Sequence, residues 1–97
     1  MKKPTKAFAG NSAKLTKELR VSIRKALASN PNAKSAVCRG FVASSTASTA
    51  DRKLARDRST AVCKRITKVN PDLDVEVKKV VVAKSNKQLR KVRMVLR

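Results

Sequence analysis

Two cysteines flank the part of this 97-residue chain in which the side chains are best placed for specific chemistry. Cys38 lies in a strand-like apolar run and Cys63 in a helix-like run, 25 residues further on. A strand residue and a residue of the helix that covers it come within the range of a disulfide bond, which would indicate an oxidising compartment. The alternative is two buried free thiols, because cysteine is often a small core residue.

Arg58 is the charged residue that falls on the apolar side of its predicted helix. At about 100° per residue it shares that side with Leu54, Ala55, Val62, Ile66 and Val69. An arginine in this position either presents its guanidinium group to an anionic ligand, or packs its stem while the head group reaches water or pairs with Asp51 or Asp57. Both interpretations stay open from the residues alone.

Residues that support catalysis or metal binding are scarce. The chain has no histidine, two cysteines and two glycines. The usual zinc ligand sets are therefore incomplete, no glycine-rich phosphate loop is present, and the serines and threonines lack a histidine base. We expect a protein that is not an enzyme, with no metal and no cofactor.

The charge composition points to polyanionic partners. Lys and Arg number 25 against 6 Asp and Glu, a formal net charge of +19. Such a surface attracts nucleic acid, anionic lipid headgroups or an anionic cell-wall polymer, or it is simply solvated. Aromatic residues make up only 2% of the chain, which leaves little platform for stacking bases. No apolar run approaches the length of about 20 residues that a membrane span needs.

The apolar periodicity predicts an α+β fold in the order β-α-β-α-β-β. The predicted elements are a short strand at 8–9, a helix from about 12 that ends before Pro31, a strand at 35–42, a helix at about 50–68, a strand over 73–82 and a strand at 89–96. Candidate N-caps are Asn11, Ser12 or Thr16 for the first helix, and Ser48 with Asp51 for the second. We expect a two-layer sandwich with two helices on one face of a small mixed sheet. Residues 1–7 are predicted to be a basic flexible N-terminus, and residues 8–97 a single domain.

The residues at the joints of these elements resemble the OmpA-like C-terminal domain family, which is associated with noncovalent attachment to peptidoglycan. The matching pieces are Phe8-Ala9-Gly10-Asn11-Ser12-Ala13-Lys14-Leu15, Gly40-Phe41, Leu54-Ala55, Arg58-Ser59 with Val62, and Arg90-Lys91-Val92. The resemblance covers about 8–96, which would make 8–97 one OmpA-like domain. The pair Cys38 and Cys63 resembles the actinobacterial branch of this family.

The resemblance implies a pocket for the diaminopimelate part of the peptidoglycan stem peptide, which the family grips with an aspartate and a helix arginine. Arg58 stands at the arginine position, whereas Ala43 stands at the aspartate position. Asp51 falls where the family usually has an asparagine, and it would supply the carboxylate if the Ser/Thr-rich loop at 43–50 folds inward. Arg58 and Asp51 are therefore the predicted ligand-binding residues.

Resemblance and charge together predict a non-catalytic binding domain that attaches to peptidoglycan or another anionic cell-wall polymer outside the cytoplasm. The alternative is a small, basic, cytoplasmic protein that contacts nucleic-acid phosphates by charge. Residues 1–6 are basic but no apolar stretch follows them, so we expect no signal peptide in this sequence. An extracytoplasmic location would then require a mature or excised domain. The sequence gives no oligomeric state.

Overall fold

Two helices and five strands make up the fold in the computed structural model, which describes residues 2–4, 7–10, 12–85 and 88–97. In chain order they are β1 (Lys2–Pro4), α1 (Lys17–Ala28), β2 (Ser35–Val42), α2 (Thr49–Val69), β3 (Asp74–Val77), β4 (Val81–Val82) and β5 (Val92–Leu96). The predicted α+β class is confirmed.

The strand β2 is the centre of a mixed sheet. It pairs antiparallel with β5 on one side and parallel with β3 and β4 on the other, and β1 extends the sheet beyond β5. Parallel neighbours need a crossover connection, and α2 provides it between β2 and β3. The strand that carries Cys38 is therefore held from both sides.

The core lies between the helices and one face of the sheet, and its buried side chains are mainly aliphatic. Each layer contributes buried residues: Leu19, Ile23, Ala26 and Leu27 from α1, Val62, Cys63 and Ile66 from α2, and Ala36, Cys38, Val92, Met94 and Leu96 from the sheet, together with Phe8 and Leu73. The spacing of three or four in the helices and of two in the strands is what puts these side chains on one side of each element. The helices and sheet thus form the expected layers.

Gly40 lets α2 lie unusually close to β2. A Cβ atom at this position would lie 2.9 Å from the carbonyl carbon of Ala55 and 2.9 Å from Ser59 Oγ. Only glycine leaves room for this approach. The close contact fixes the height of α2 above the sheet one turn from Arg58.

A disulfide bond joins Cys38 of β2 to Cys63 of α2, with 6.1 Å between the two Cα atoms. It ties the central strand to the covering helix, on the far side of Arg58 from the helix N-terminus. The prediction of a disulfide is confirmed, and the alternative of two free thiols is wrong.

The first strand and the first helix begin at residues other than those predicted. The strand lies at Lys2–Pro4 and not at 8–9, so it falls inside the segment for which the sequence predicts a flexible tail; residues 1, 5 and 6 of that segment are outside the described residues. Its pairing with β5 comes from the far end of the chain, which local patterning does not reveal. The helix α1 begins at Lys17, because the Thr16 side chain accepts a hydrogen bond from Leu19 N at 3.2 Å and caps it. The candidate cap Asn11 is also outside the described residues.

The strand predicted over 73–82 is divided. Residues 78–80 interrupt it, so that β3 and β4 pair with different parts of β2. The predicted strand at 35–42 and the predicted capping of the second helix are confirmed, since Ser48 accepts a hydrogen bond from Asp51 N at 3.1 Å. No helix within the described ranges is long and apolar enough to span a lipid bilayer.

Candidate ligand-binding site at Arg58

Arg58 is held in place by the backbone of the segment that precedes α1. Its Nε donates a hydrogen bond to the carbonyl oxygen of Ser12 at 2.8 Å, and its Nη2 donates to the carbonyl oxygen of Ala9 at 3.2 Å. The guanidinium carbon lies 5.6 Å from the centroid of the Phe8 ring, which is itself buried. With the side chain only 6% exposed, these contacts fix the guanidinium group at one place.

No carboxylate in the described part of the chain compensates the positive charge of Arg58. The ion pairs found there are Lys53–Asp57 and Lys78–Glu76, both at 2.9 Å. The interpretation in which Arg58 pairs with Asp51 or Asp57 is therefore wrong. Burial, and secondly the nearby positive charge of Arg90, lower the pKa of Arg58. Both effects disfavour the charged form, and a bound anion would relieve them.

Arg58 lines a cavity of about 270 Å³ at the C-terminal end of β2, next to Phe41 and Val42. The apolar part of the lining comes from Phe41, Leu54 and Leu89, and the polar part from Arg58, Arg90 and Asp51. The remaining lining residues are Gly10, Val42 and Ala43. The structure thus brings both predicted site residues, Arg58 and Asp51, to one cavity, together with the alanine at the family's aspartate position.

Asp51 reaches this cavity because the preceding loop is tied back to α2. Arg52 Nε donates to the carbonyl oxygen of Ala47 at 3.3 Å, and Arg52 Nη2 donates to that of Ser45. Ser48 caps the helix, so Asp51 falls in the first turn, where a carboxylate also interacts favourably with the helix dipole. Asp51 is exposed at the rim, whereas Arg58 is buried.

Arg90 is a residue of the cavity that its sequence pattern does not reveal, because the pattern predicts only a place in the motif of the last strand. It has φ 64°, the left-handed region that non-glycine residues rarely occupy. Its carbonyl oxygen accepts a hydrogen bond from Phe8 N at 2.6 Å, which links it to the segment that holds Arg58. Nothing in the residue types predicts an arginine with this backbone conformation.

The cavity offers hydrogen-bond donors that the protein itself leaves available. A guanidinium group carries five N–H donors, and Arg58 uses two of them within the described residues. The others, together with Arg90, suit a carboxylate or another oxyanion, for which arginine provides paired donors. Asp51 at the rim suits a cationic amine. The arrangement matches a ligand that carries both charges.

Comparison with solved structures shows similar folds at low sequence identity. The OmpA-like domain of FopA1 from Francisella tularensis matches with a TM-score of 0.66 and 15% identity, over 99% of this chain and 73% of that one. The peptidoglycan-associated lipoprotein from Burkholderia pseudomallei matches with a TM-score of 0.64 and 13% identity, over 97% and 89%. The cell wall anchor of the T6SS from Pseudomonas aeruginosa matches with a TM-score of 0.66 and 16% identity, over 91% and 72%.

At the level of sequence, no family model matches this chain, and no curated protein does. The likeness is therefore one of three-dimensional structure, and it extends over nearly the whole chain in each comparison. The likeness concerns the path of the backbone and agrees with the α+β architecture described above. It says nothing about the disulfide bond. The chain has the fold of the OmpA-like domains.

Proposed function

We propose that this protein is a non-catalytic member of the OmpA-like family that binds peptidoglycan in the cell wall, outside the cytoplasm. Two of the structures with the same fold are a peptidoglycan-associated lipoprotein and a cell wall anchor, which supports this assignment. A disulfide is typical of an oxidising compartment and supports the location. We also propose, from the resemblance of the paired cysteines, that the protein belongs to the actinobacterial branch of this family.

The buried, uncompensated charge of Arg58 is the observation that carries the proposal. An isolated buried cation costs free energy unless a partner approaches it. Arg58 nonetheless has its position fixed by two backbone carbonyl groups and lines a cavity that a small zwitterion can enter. In the bound state Arg58 and Arg90 would hold the carboxylate of a stem-peptide amino acid, and Asp51 its ammonium group.

Ala43, which stands where the family has an aspartate, affects this mode of binding. Ala43 brings a methyl group to the family's aspartate position, so the carboxylate of the cavity comes from Asp51. We therefore expect weaker recognition of the amine than in a domain with both groups. The net charge of +19 adds a second, diffuse attraction to anionic wall material.

The test is a pull-down of the folded protein on purified peptidoglycan sacculi. Arg58→Gln and Arg90→Asn each remove one guanidinium group from the cavity, and we expect each to weaken retention about tenfold, in line with the loss of a charge-assisted hydrogen bond. Asparagine is chosen at residue 90 because it tolerates positive φ, so this variant keeps the fold even if Arg58→Gln does not.

The matched control is Arg56→Gln, which removes the same charge from an exposed position of the same helix. Its retention should stay close to that of the wild-type protein. If Arg56→Gln and Arg90→Asn weaken binding equally, the cavity has no special role and the proposal for the site fails. If neither the wild type nor any variant binds sacculi, the function itself is wrong.

A second candidate function is binding of nucleic-acid phosphates, which the net charge of +19 favours. It is tested by titrating the protein with duplex and single-stranded oligonucleotides at physiological salt. Micromolar or tighter affinity for these, together with no retention on sacculi, would replace the cell-wall proposal by this one. Both aromatic residues of the chain are buried, Phe8 at 1% and Phe41 at 6% exposure, so any such binding would proceed without base stacking.

A further inference from the structure

A groove between α1 and α2, separate from the cavity at Arg58, has an apolar floor at Val21 and Ala28, and every charge on its walls is positive. Its volume is about 500 Å³. Five cations line it, four from α1 and one from α2: Lys17, Arg20, Arg24, Lys25 and Arg65. Among the residues that the structure describes, no carboxylate lines the groove and none forms an ion pair with these five side chains. We call this surface the helix groove.

The cations of the helix groove follow the axis of α1 at intervals of about one turn. The rise of about 1.5 Å per residue separates Lys17 from Arg24 by roughly 10 Å along the helix, with Arg20 between them. Arg20 and Arg24 are four residues apart, and like charges at this spacing destabilise a helix. The pattern therefore costs stability in the free protein, and an anion lying along the helix would offset that cost.

Arg65 adds a polar group that has no partner in the protein. Its Nε is buried, and no hydrogen-bond acceptor is found for it among the described residues. A buried donor without a partner is costly. Arg65 lines the helix groove, so an oxyanion bound there would contact α1 and α2 together, and it would supply the missing acceptor once the Arg65 side chain turns to expose Nε.

We propose that the helix groove binds a linear phosphodiester polymer of the cell wall, of the poly(glycerol phosphate) class. The choice of a wall polymer rests on the proposed cell-wall function. An extended row of cations fits a chain of repeated anions better than a single compact ion, and arginine matches the oxygens of a phosphate group with paired donors. The burial of both phenylalanines disfavours a nucleic-acid strand, which gains affinity when its bases stack on aromatic side chains.

The test measures binding of soluble poly(glycerol phosphate) by the full chain over a series of NaCl concentrations. A triple variant, Arg20→Gln/Arg24→Gln/Arg65→Gln, removes three groove charges. Affinity falls as salt rises, and each phosphate contact on a flexible strand contributes about 0.7 to the steepness of that fall in a log-log plot. We therefore expect the loss of three contacts to make the slope less steep by about 2. Affinity at low salt should fall at least tenfold.

The control variant, Arg56→Gln/Lys79→Gln/Lys84→Gln, removes three charges from exposed positions outside the helix groove. It should keep the wild-type slope. Equal losses in both triple variants would show that binding is diffuse and would overturn the proposal. Binding of a single-stranded oligonucleotide of equal charge with the same or higher affinity would overturn the assignment to a wall polymer.

Sacculi before and after chemical removal of phosphodiester polymers separate this proposal from the proposed function. We expect the wild type to be retained more strongly on untreated sacculi than on stripped ones. Loss of this difference in the triple variant Arg20→Gln/Arg24→Gln/Arg65→Gln supports the helix groove. Loss of retention on stripped sacculi in Arg90→Asn concerns the Arg58 cavity alone. Retention of the wild type on stripped sacculi, with no gain on untreated ones, would retain the proposed function and reject the helix groove.

Discussion

Single residues decide how closely the layers of this protein meet. Gly40 lets β2 approach Ala55 and Ser59 of α2 closely, and Arg58, on the same helix, is buried against the backbone of Ala9 and Ser12. Among the described residues, two backbone carbonyl groups accept hydrogen bonds from Arg58, so three of its five N–H donors have no partner there. The cavity thus depends on an arginine that the fold orients but does not neutralise.

Substitution of Gly40 by alanine tests this close approach. In Gly40→Ala the added methyl group would meet backbone and side-chain atoms of α2 at 2.9 Å, so the helix must shift. Overpacking of this kind costs about 1–3 kcal/mol. We expect a lower melting temperature in thermal unfolding. Gly10→Ala is the matched control, because its nearest atom, Arg90 Nη1, is 3.9 Å away, and its melting temperature should be unchanged.

At the scale of elements, the disulfide joins β2 to α2 and closes a loop that contains the predicted ligand-binding residues Arg58 and Asp51. The loop spans 25 residues. The same loop holds the capped start of α2 and the close contact at Gly40. The crosslink and these two residues are therefore parts of one strand-helix unit, to which Gly10, Leu89 and Arg90 add the rest of the cavity.

Removal of the crosslink should destabilise the fold substantially. A loop of this length gives about 3 kcal/mol on the chain-entropy model, or a drop in melting temperature of roughly 15 °C for a small domain. We expect this drop in Cys38→Ala/Cys63→Ala and also in the wild type treated with a reducing agent. The double variant itself should not respond to the reducing agent. A wild type that melts at the same temperature with and without reduction would contradict the prediction.

At the scale of the whole molecule, the excess of positive charge opposes folding and favours binding. A net charge of +19 on a molecule with a radius of gyration of 12.6 Å produces strong self-repulsion. In the proposed function, the same charge would draw the protein to anionic polymers. Salt screens both interactions, so it should change stability and affinity in opposite directions.

We therefore expect the melting temperature to rise, and retention on sacculi to fall, when NaCl is raised from about 10 mM to about 0.3 M, a range over which the screening length shrinks from roughly 30 Å to well below 10 Å. Sucrose at matched osmolarity serves as the uncharged control and should leave retention unchanged. Retention that persists in 1 M NaCl would show that the diffuse charge does not contribute to attachment.

The sequence by itself determined the central strand-helix unit: the strand at 35–42, the capped helix after Ser48, and Arg58 on its apolar side. These features follow from periodicity and capping, which depend on residues a few positions apart. It also determined the charge, and the placement of Cys38 on a strand and Cys63 on the covering helix predicted the disulfide bond.

Only the tertiary structure decided which groups complete the site. The carbonyl groups of Ala9 and Ser12 that hold Arg58, the positive φ of Arg90, and the pairing of β1 with β5 all join segments from distant parts of the chain. Backbone groups carry no sequence signature, and long-range pairing depends on how the complete core packs. Among the candidate caps of α1, the structure selects Thr16, and Ser12 lies outside the helix with its carbonyl group bound to Arg58.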